Sequence, residues 1–208
     1  STQPASSAAS DVYKRQDIIM VGEVRDEETV ELGIRAALTG HLVFSTVHTN
    51  DAASGFTRLL NWNVEPFLIA STVKGILAQR LVRRICKECK EPHEPSREEL
   101  RMVGVDEDES IKSFVGKGCL SCRNTGFKGR IGIYELLLVD AAISELVLEQ
   151  APGYKIREQA RKNGMTTLLE DGIIKIERGD TTISEVYETL GTTKICLLYT
   201  SDAADDSG

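Results

Sequence analysis

Two Cys-x-x-Cys pairs constrain this chain more than any other feature of its sequence. The first pair is Cys86 and Cys89, and the second is Cys119 and Cys122. A two-residue gap lets both sulfurs of a pair face one ion, and two such pairs complete a tetrahedron of thiolates. Because four thiolates leave no open position for water, the pattern predicts one structural zinc ion rather than a catalytic metal.

Three other interpretations of the cysteines stay open at this point, and one is that all four are thiols that bind no metal. His93 follows Cys89 by four residues and is able to replace one thiolate as a ligand. A redox site of the thioredoxin kind is the third alternative, although that motif needs one pair at a helix start and this chain has two pairs. The fifth cysteine, Cys196, is assigned no role.

Composition and charge exclude several classes of protein. The 208 residues are 41% hydrophobic and 27% charged, which is typical of a globular protein of one or two domains. The net charge of −7 argues against broad electrostatic attraction to nucleic acid. No apolar run approaches the ~20 residues of a membrane span, and no signal peptide is evident. We therefore expect a cytoplasmic protein that meets a membrane only through partners.

The N-terminal part of the chain alternates between strand and helix signals. Residues 17–21 (DIIMV) and 42–46 (LVFST) suit two strands that are buried on both faces. Between them, Asp26 can cap a helix that ends near Gly40. A strand, helix and strand at this spacing predict an α/β fold with parallel strands.

Helices are predicted along much of the remaining chain. One begins near Asp51, and a longer one runs from about Pro66 to Arg84, because this segment carries an apolar stripe at helical spacing (Ile69, Val73, Ile76, Leu77 and Leu81). A strand is expected over Arg130–Val139. Two matches to the capping-box pattern, Thr167 with Glu170 and Thr182 with Glu185, then predict a small helical bundle.

Polar residues follow both predicted parallel strands. Glu23 comes after the first strand and His48 after the second, so both should point toward the crevice where such sheets bind ligands. A carboxylate there can serve a nucleotide's magnesium and attacking water, and a histidine can contact the γ-phosphate. Gly22 lets the backbone pass close to phosphates. On spacing alone both residues also fit ordinary solvated loops, and His41 has less support.

The sequence contains no G-x-x-x-x-G-K-[ST] phosphate-binding loop. The nearest string, Gly116-Lys117-Gly118, lacks the hydroxyl residue that binds magnesium. Without such a loop we expect these residues alone not to hydrolyse ATP.

Three strings in this order closely resemble type II secretion and type IV pilus-assembly ATPases. DIIMVGEVRDEETVELGIRAALTGHLVFSTVHTNDA resembles the family's Walker B and His-box region. RLLNWNVEPFLIASTVKGILAQRLVRRIC, both cysteine pairs and TGFKGRIGIYELLLV continue the match, which covers residues 17–191. The resemblance implies a homo-hexameric cytoplasmic ATPase with a RecA-like P-loop NTPase core. Its cycle would drive pilin or pseudopilin assembly through inner-membrane platform proteins.

The resemblance also implies roles for single residues. Glu23 looks like the Walker B glutamate that positions the attacking water, His48 like the His-box residue near the γ-phosphate, and His41 like the first histidine of that box. The four cysteines match the family's zinc-binding element. The complete enzyme would use ATP and Mg²⁺ beside this structural zinc.

The chain departs from the family pattern because the phosphate-binding loop and the acidic Asp box upstream of Walker B are missing. We therefore expect a fragment that starts inside the ATPase core and exposes a strand edge and apolar faces. The predicted segments are a disordered or non-native end at 1–16, the C-terminal half of the core at 17–84, a zinc element at 85–132, a helical subdomain at 133–191 and a disordered or non-native tail at 192–208.

A zinc-ribbon binding module without catalysis remains the main alternative function. A nucleic-acid role would need clustered basic and aromatic residues. Several cations lie within residues 80–90, but the chain has one tryptophan and a negative net charge. A solvated helix end explains these cations better, and contact of Arg83 and Arg84 with an acidic surface of a neighbouring subunit is a further hypothesis.

Overall fold

The computed structural model describes residues 17–106 and 111–191, so the predictions for both chain ends, with Cys196, lie outside the described residues. The elements in chain order are β1 (Ile18–Val21), α1 (Glu27–Leu38), β2 (Leu42–Ser45), α2 (Ala52–Asn61), α3 (Pro66–Thr72), β3 (Gly75–Ile85), β4 (Lys90–His93), α4 (Arg97–Met102), β5 (Ser113–Gly116), β6 (Phe127–Leu138), α5 (Ala141–Leu148), α6 (Gly153–Lys162), α7 (Leu168–Glu177) and α8 (Ile183–Leu190). None of the described helices is both long and apolar enough to cross a bilayer.

The predicted strand, helix and strand at the N-terminal side are confirmed. Strands β1 and β2 are parallel, with Ile18 beside Leu42 and Val21 beside Ser45. Helix α1 begins at its cap Asp26, whose carboxylate accepts a hydrogen bond from the backbone N–H of Thr29 at 2.9 Å. This is an α/β arrangement in which both strands end at the same level.

The two strands are not buried on both faces, in contrast to the expectation from their composition. Ile18 and Met20 of β1 are 60% and 74% exposed, and Leu42 and Phe44 of β2 are 47% and 55% exposed. The register places these four side chains on one face of the sheet. This side of the two-stranded sheet is therefore an exposed apolar face.

The helix predicted from Pro66 to Arg84 is wrong. Helix α3 ends at Thr72, and strand β3 begins at Gly75. The end of β3 meets the beginning of β6, where the N–H of Cys86 donates to the carbonyl of Gly126 at 2.9 Å, so the two strands run in opposite directions. Alternate residues of β3, such as Ala78 and Val82, are buried, which is the period of a half-buried strand.

The described chain divides into two compact units. The first comprises residues 17–76 and 137–165, and the second comprises residues 77–106, 111–136 and 166–191. In the first unit α2 packs against α3 and α6, and α5 packs against α3 and α6. Fully buried side chains of these four helices form its core (Phe56, Ile69, Ile143, Val147 and Ile156).

The second unit contains the segment that carries all four cysteines. Its apolar core joins the end of α4 to helices α7 and α8 through Val103, Ile176, Ile183 and Val186. The sequence analysis did not predict α4, although its Ser96 and Glu99 form a reciprocal capping box. The helices expected as one C-terminal subdomain fall into both units, with α5 and α6 in the first and α7 and α8 in the second.

One of the two predicted capping boxes is complete. Thr167 and Glu170 satisfy each other's backbone N–H groups at the start of α7. At the start of α8, the Thr182 hydroxyl accepts from the N–H of Glu185, but the Glu185 carboxylate does not return to Thr182. It accepts instead from the backbone N–H of Arg83 at 3.0 Å and from the guanidinium of that residue.

Candidate functional site

Glu23 and His48 meet at the carboxyl ends of the two parallel strands. Nε2 of His48 lies 2.7 Å from Oε1 of Glu23. The His48 side chain is 86% exposed, whereas that of Glu23 is 21% exposed. The structure therefore brings these two predicted site residues together and leaves the imidazole accessible to a ligand.

Backbone contacts between the two strand ends explain why these side chains meet. The N–H of Val24 donates to the carbonyl of Thr46 at 2.9 Å. The hydroxyl of Thr46 donates to the carbonyl of Gly22 at 2.8 Å. These bonds continue the pairing of β1 with β2 beyond the last strand residues, so the segments that carry Glu23 and His48 leave the sheet side by side.

Arg25 is a second partner of Glu23, and the sequence analysis missed it. Its Nε donates to Oε2 of Glu23 at 2.5 Å. The hydrogen bond from Arg25 lowers the pKa of the Glu23 carboxyl, and the charges of Arg25 and His48 act in the same direction. The available signal was the short spacing, because Arg25 lies only two residues from Glu23.

The other two predicted site residues have different surroundings. A Cβ added to Gly22 would meet no atom within 4 Å, so the backbone at this position is open to a ligand. His41 precedes β2, whereas His48 follows it, and the four strand residues between them span roughly 13 Å. Nδ1 of His41 lies 3.1 Å from the carbonyl oxygen of Ala36, near the end of α1. The structure does not bring His41 to Glu23, and its role stays a prediction.

The four cysteines of the two pairs lie together as the sequence analysis predicted. Their sulfur atoms all lie within 4.8 Å of one another. The Sγ–Sγ distances are 3.8 Å for Cys86 and Cys119, 3.8 Å for Cys89 and Cys122, and 3.7 Å for Cys119 and Cys122. Four sulfurs at ~2.3 Å from a tetrahedral zinc are separated by about 3.8 Å, so the cluster has the dimensions of such a site.

The strand pairing around the cluster brings the two cysteine pairs together. Strand β4 follows the first pair and is antiparallel to β5, which precedes the second pair. The N–H of Lys117 then donates to the carbonyl of Cys89 at 3.1 Å. A Cβ added to Gly126 would lie 2.3 Å from the carbonyl oxygen of Gly116, so these backbones approach too closely for a side chain.

Backbone N–H groups point at the sulfur atoms, as expected for thiolate ligands. Gly118 donates to Sγ of Cys89 at 3.3 Å, and Cys119 and Gly126 donate to Sγ of Cys122 at 3.1 and 3.3 Å. Burial raises the pKa of the Cys89 thiol to about 12. Burial acts in the same direction on Cys122, but its two backbone donors outweigh this and lower its pKa to about 6. The donor set fits a soft divalent metal.

Neighbouring residues that were weighed as ligands or docking groups have other contacts. Nε2 of His93 lies 3.2 Å from both carboxylate oxygens of Glu99, and among the described residues the side chains close enough together to hold a metal ion are the four cysteines. Arg83 is paired with Glu185, and Nη2 of Arg84 lies 3.6 Å from Asp180. Both arginines that were considered for a neighbouring subunit thus have partners within the second unit, and their contact with another subunit stays a hypothesis.

Comparison with known proteins decides the family. The family model described as "Type II/IV secretion system protein" matches residues 10–188. This chain belongs to that family. The type IV pilus assembly ATPase PilB of Thermus thermophilus is 49% identical over 172 residues, which cover 82% of this chain and 19% of the relative. The type II secretion system ATPase E of Vibrio cholerae is 44% identical over 170 residues, which cover 82% of this chain and 34% of the relative.

Solved structures support the same fold for this member of the secretion family. The pilus retraction motor PilT with bound ADP matches with a TM-score of 0.58 and 26% identity, covering 89% of this chain and 43% of that one. The Legionella pneumophila ATPase DotB, at 22% identity and a TM-score of 0.57, supports the fold alone. The secretion-family chain spans between about a fifth and a third of the length of the two curated relatives named above.

Proposed function

We propose that this chain is the C-terminal part of the motor domain of an ATPase that powers pilus or pseudopilus assembly and protein secretion. The relatives named above are called ATPases of type IV pilus assembly and type II secretion. The observation that carries the proposal is the Glu23–His48 pair at the carboxyl edge of a parallel sheet. Open α/β sheets bind their ligands at that edge.

The chemistry assigned to this edge is hydrolysis of the γ-phosphate of ATP. The Glu23 carboxylate, held ionised by Arg25, positions and polarises the attacking water beside the nucleotide's Mg²⁺. His48 contacts the γ-phosphate and responds to its loss, which its exposed ring permits. Gly22 lets the phosphates approach the backbone without a steric obstacle. His41 is assigned a supporting role in the same cycle by its motif position alone.

The four cysteines are proposed to hold one structural zinc ion. The sulfur spacing and the N–H donors to sulfur support this choice. Bound zinc would supply folding energy to the second unit, because its ligands converge from segments that are distant in sequence. No open position is left on a tetrathiolate zinc for a substrate, so the ion takes no part in hydrolysis.

The assembly and partners proposed here follow from the family. The complete protein would act as a homo-hexamer in the cytoplasm, peripheral to the inner membrane, and would engage platform proteins of the secretion or pilus machinery. Nucleic acid is not a proposed partner, since the net charge is −7 and the basic residues Arg83 and Arg84 are paired within the chain.

A zinc-binding module without catalysis is the second candidate function. It is favoured by one observation, namely that the cysteine cluster is complete within these residues while the phosphate-binding loop is not among them. A module of this kind would bind a partner and would not turn over ATP.

The coding sequence upstream of residue 17 and the activity of its product distinguish the two candidates. The proposal expects an in-frame G-x-x-x-x-G-K-[ST] within roughly a hundred residues. It also expects MgATP hydrolysis by the complete gene product, and loss of that hydrolysis when the loop lysine is replaced by alanine. A complete gene product without the loop and without hydrolysis would favour the binding module.

A further inference from the structure

The segment that carries His48 is held at both of its ends. On the N-terminal side, Thr46 is bonded to Val24 and Gly22. On the C-terminal side, Asp51 begins helix α2, where Oδ1 of its carboxylate accepts from the backbone N–H of Ser54 at 2.8 Å and from the hydroxyl of Ser54 at 2.7 Å. The His48 ring is 86% exposed and gains little from packing, so these two anchors, together with its contact to Glu23, help to position it.

The second oxygen of Asp51 is held by a residue from a distant part of the chain. Oδ2 accepts from Nη2 of Arg157, which lies on helix α6 of the same compact unit. The Asp51 side chain is 12% exposed and that of Arg157 is 33% exposed. The pair therefore lies largely out of solvent, where an ion pair is stronger and more sensitive to geometry than at the surface.

Helix α6 packs directly against α2. A Cβ added to Gly153, at the start of α6, would lie 3.5 Å from the hydroxyl of Thr57. Ile156, next to Arg157, is fully buried, as is Phe56 of α2. A packed helix pair thus holds the guanidinium against the carboxylate that begins α2.

One hydrogen-bond donor of Arg157 is left unsatisfied in this contact. Its buried Nε has no hydrogen-bond partner among the residues that the structure describes. A partly buried ion pair with an unsatisfied donor is weak evidence for stability, and in some proteins such pairs serve to fix the relative position of two segments. The arrangement is therefore better explained by positioning than by stabilisation.

We propose that Arg157 is a positioning residue, which acts through Asp51 to hold His48 opposite Glu23. This inference rests on the proposed role of the Glu23–His48 pair. Arg157 contacts neither residue of that pair. It holds Asp51, and the backbone between Asp51 and His48 carries this constraint to the imidazole. Helix α6, more than a hundred positions further along the sequence, thereby becomes part of the machinery that orients the γ-phosphate contact.

Replacement of Arg157 tests the inference more cleanly than replacement of Asp51, since Asp51 also caps α2. In the complete gene product, Arg157→Met should lower kcat for ATP about tenfold, because small misplacements of catalytic groups reduce the rate strongly. The KM for ATP should stay within about twofold of the wild-type value, because no binding contact is removed. Arg157→Lys keeps the charge and should recover part of the loss.

A double-mutant cycle with His48→Ala separates positioning from general loss of structure. If Arg157 acts through His48, then Arg157→Met should change kcat by less than about twofold in the His48→Ala background. Lys162→Met is the matched control on the same helix, since Lys162 forms an exposed pair with Glu158, and it should leave kcat unchanged in both backgrounds. Thermal unfolding of each variant shows whether it is folded.

Three outcomes would overturn the inference. A fold-change from Arg157→Met that is equal in both backgrounds would make its effect independent of His48. Wild-type kcat in a folded Arg157→Met protein would remove the positioning role directly, and if that variant does not fold, wild-type kcat in Arg157→Gln would do the same. Full activity of the single His48→Ala variant would instead overturn the proposed role of His48, and this inference with it.

Discussion

Nε2 of His48 lies 2.7 Å from Oε1 of Glu23, at the shared carboxyl edge of two parallel strands. The other oxygen of Glu23 accepts from Arg25. The hydrogen bond from Arg25 lowers the pKa of the Glu23 carboxyl, and contacts to both of its oxygens give the carboxylate a defined direction. Both properties suit a group that must accept or orient a proton of an attacking water molecule.

The pH dependence of turnover tests the contact between Arg25 and Glu23. Arg25 lowers the pKa of the Glu23 carboxyl through its hydrogen bond, so the active, ionised form persists to lower pH than for an ordinary carboxyl. Arg25→Met should raise that pKa and move the acid limb of the kcat/KM profile to higher pH. Arg35→Met is the control, since Arg35 pairs with Glu31 on the surface of α1. Coincident acid limbs for Arg25→Met and wild type would contradict the assignment.

The zinc content of cysteine variants tests the metal site. The wild-type gene product should contain about one zinc ion per set of these four cysteines, as measured by elemental analysis. Cys86→Ser combined with Cys89→Ser should lose the ion and lower the thermal stability of the second unit, because structural zinc contributes folding energy. His93→Gln serves as control, since His93 contacts Glu99 rather than the sulfur atoms, and it should keep the full zinc content. Normal zinc in the double variant would show that the ligands are misassigned.

The close approach of Gly116 and Gly126 gives a separate test of how the metal site closes. Gly126→Ala would place Cβ 2.3 Å from the carbonyl oxygen of Gly116, so β5 would have to move away from the N–H that bonds Cys122. We expect faster loss of zinc to a chelator and a lower melting temperature. Gly126 and Gly129 both have a positive φ, but a Cβ added to Gly129 would meet no atom within 4 Å.

Gly129→Ala therefore isolates the cost of the backbone conformation, which is about 1–2 kcal/mol for a left-handed residue. It should leave the rate of zinc release close to that of the wild type. Equal rates of zinc release from the two alanine variants would mean that the contact with Gly116 does not matter for the metal site.

Local signals in the sequence were sufficient for much of the fold and for the core of the candidate site. Caps at Asp26, Asp51 and Thr167 begin helices where they were expected, because capping depends on residues within one turn. The meeting of Glu23 with His48 followed from a general property of parallel sheets, and the cysteine cluster followed from ligand spacing.

Contacts between distant residues explain what the sequence could not predict. The apolar stripe of residues 69–81 fits a helix, but pairing with β6 makes β3 a strand, and that partner lies far along the chain. The predicted return of Glu185 to Thr182 is replaced by a bond to Arg83, 102 residues away. Neither partner can be read from local periodicity.

The contribution of Arg157 could not be predicted from the sequence either, because it depends on a contact between residues that are distant along the chain. Its sequence neighbours mark it as one cation among several on a charged helix, and only the fold shows that it meets Asp51. The contact of Arg25 with Glu23 was easier to predict, since only two positions separate these residues in the sequence. A search for cations near a candidate catalytic carboxylate would have found it.

Turnover and nucleotide binding by a Glu23→Gln variant of the complete gene product test the central claim most directly. The account predicts that kcat for ATP falls by at least about a hundredfold, as expected for loss of a group that acts on the attacking water. The affinity for ATP, measured by equilibrium binding, should stay within about threefold of the wild-type value, and Glu28→Gln at the exposed start of α1 should keep wild-type turnover. Retained turnover in Glu23→Gln would contradict the assignment of this edge as the catalytic site.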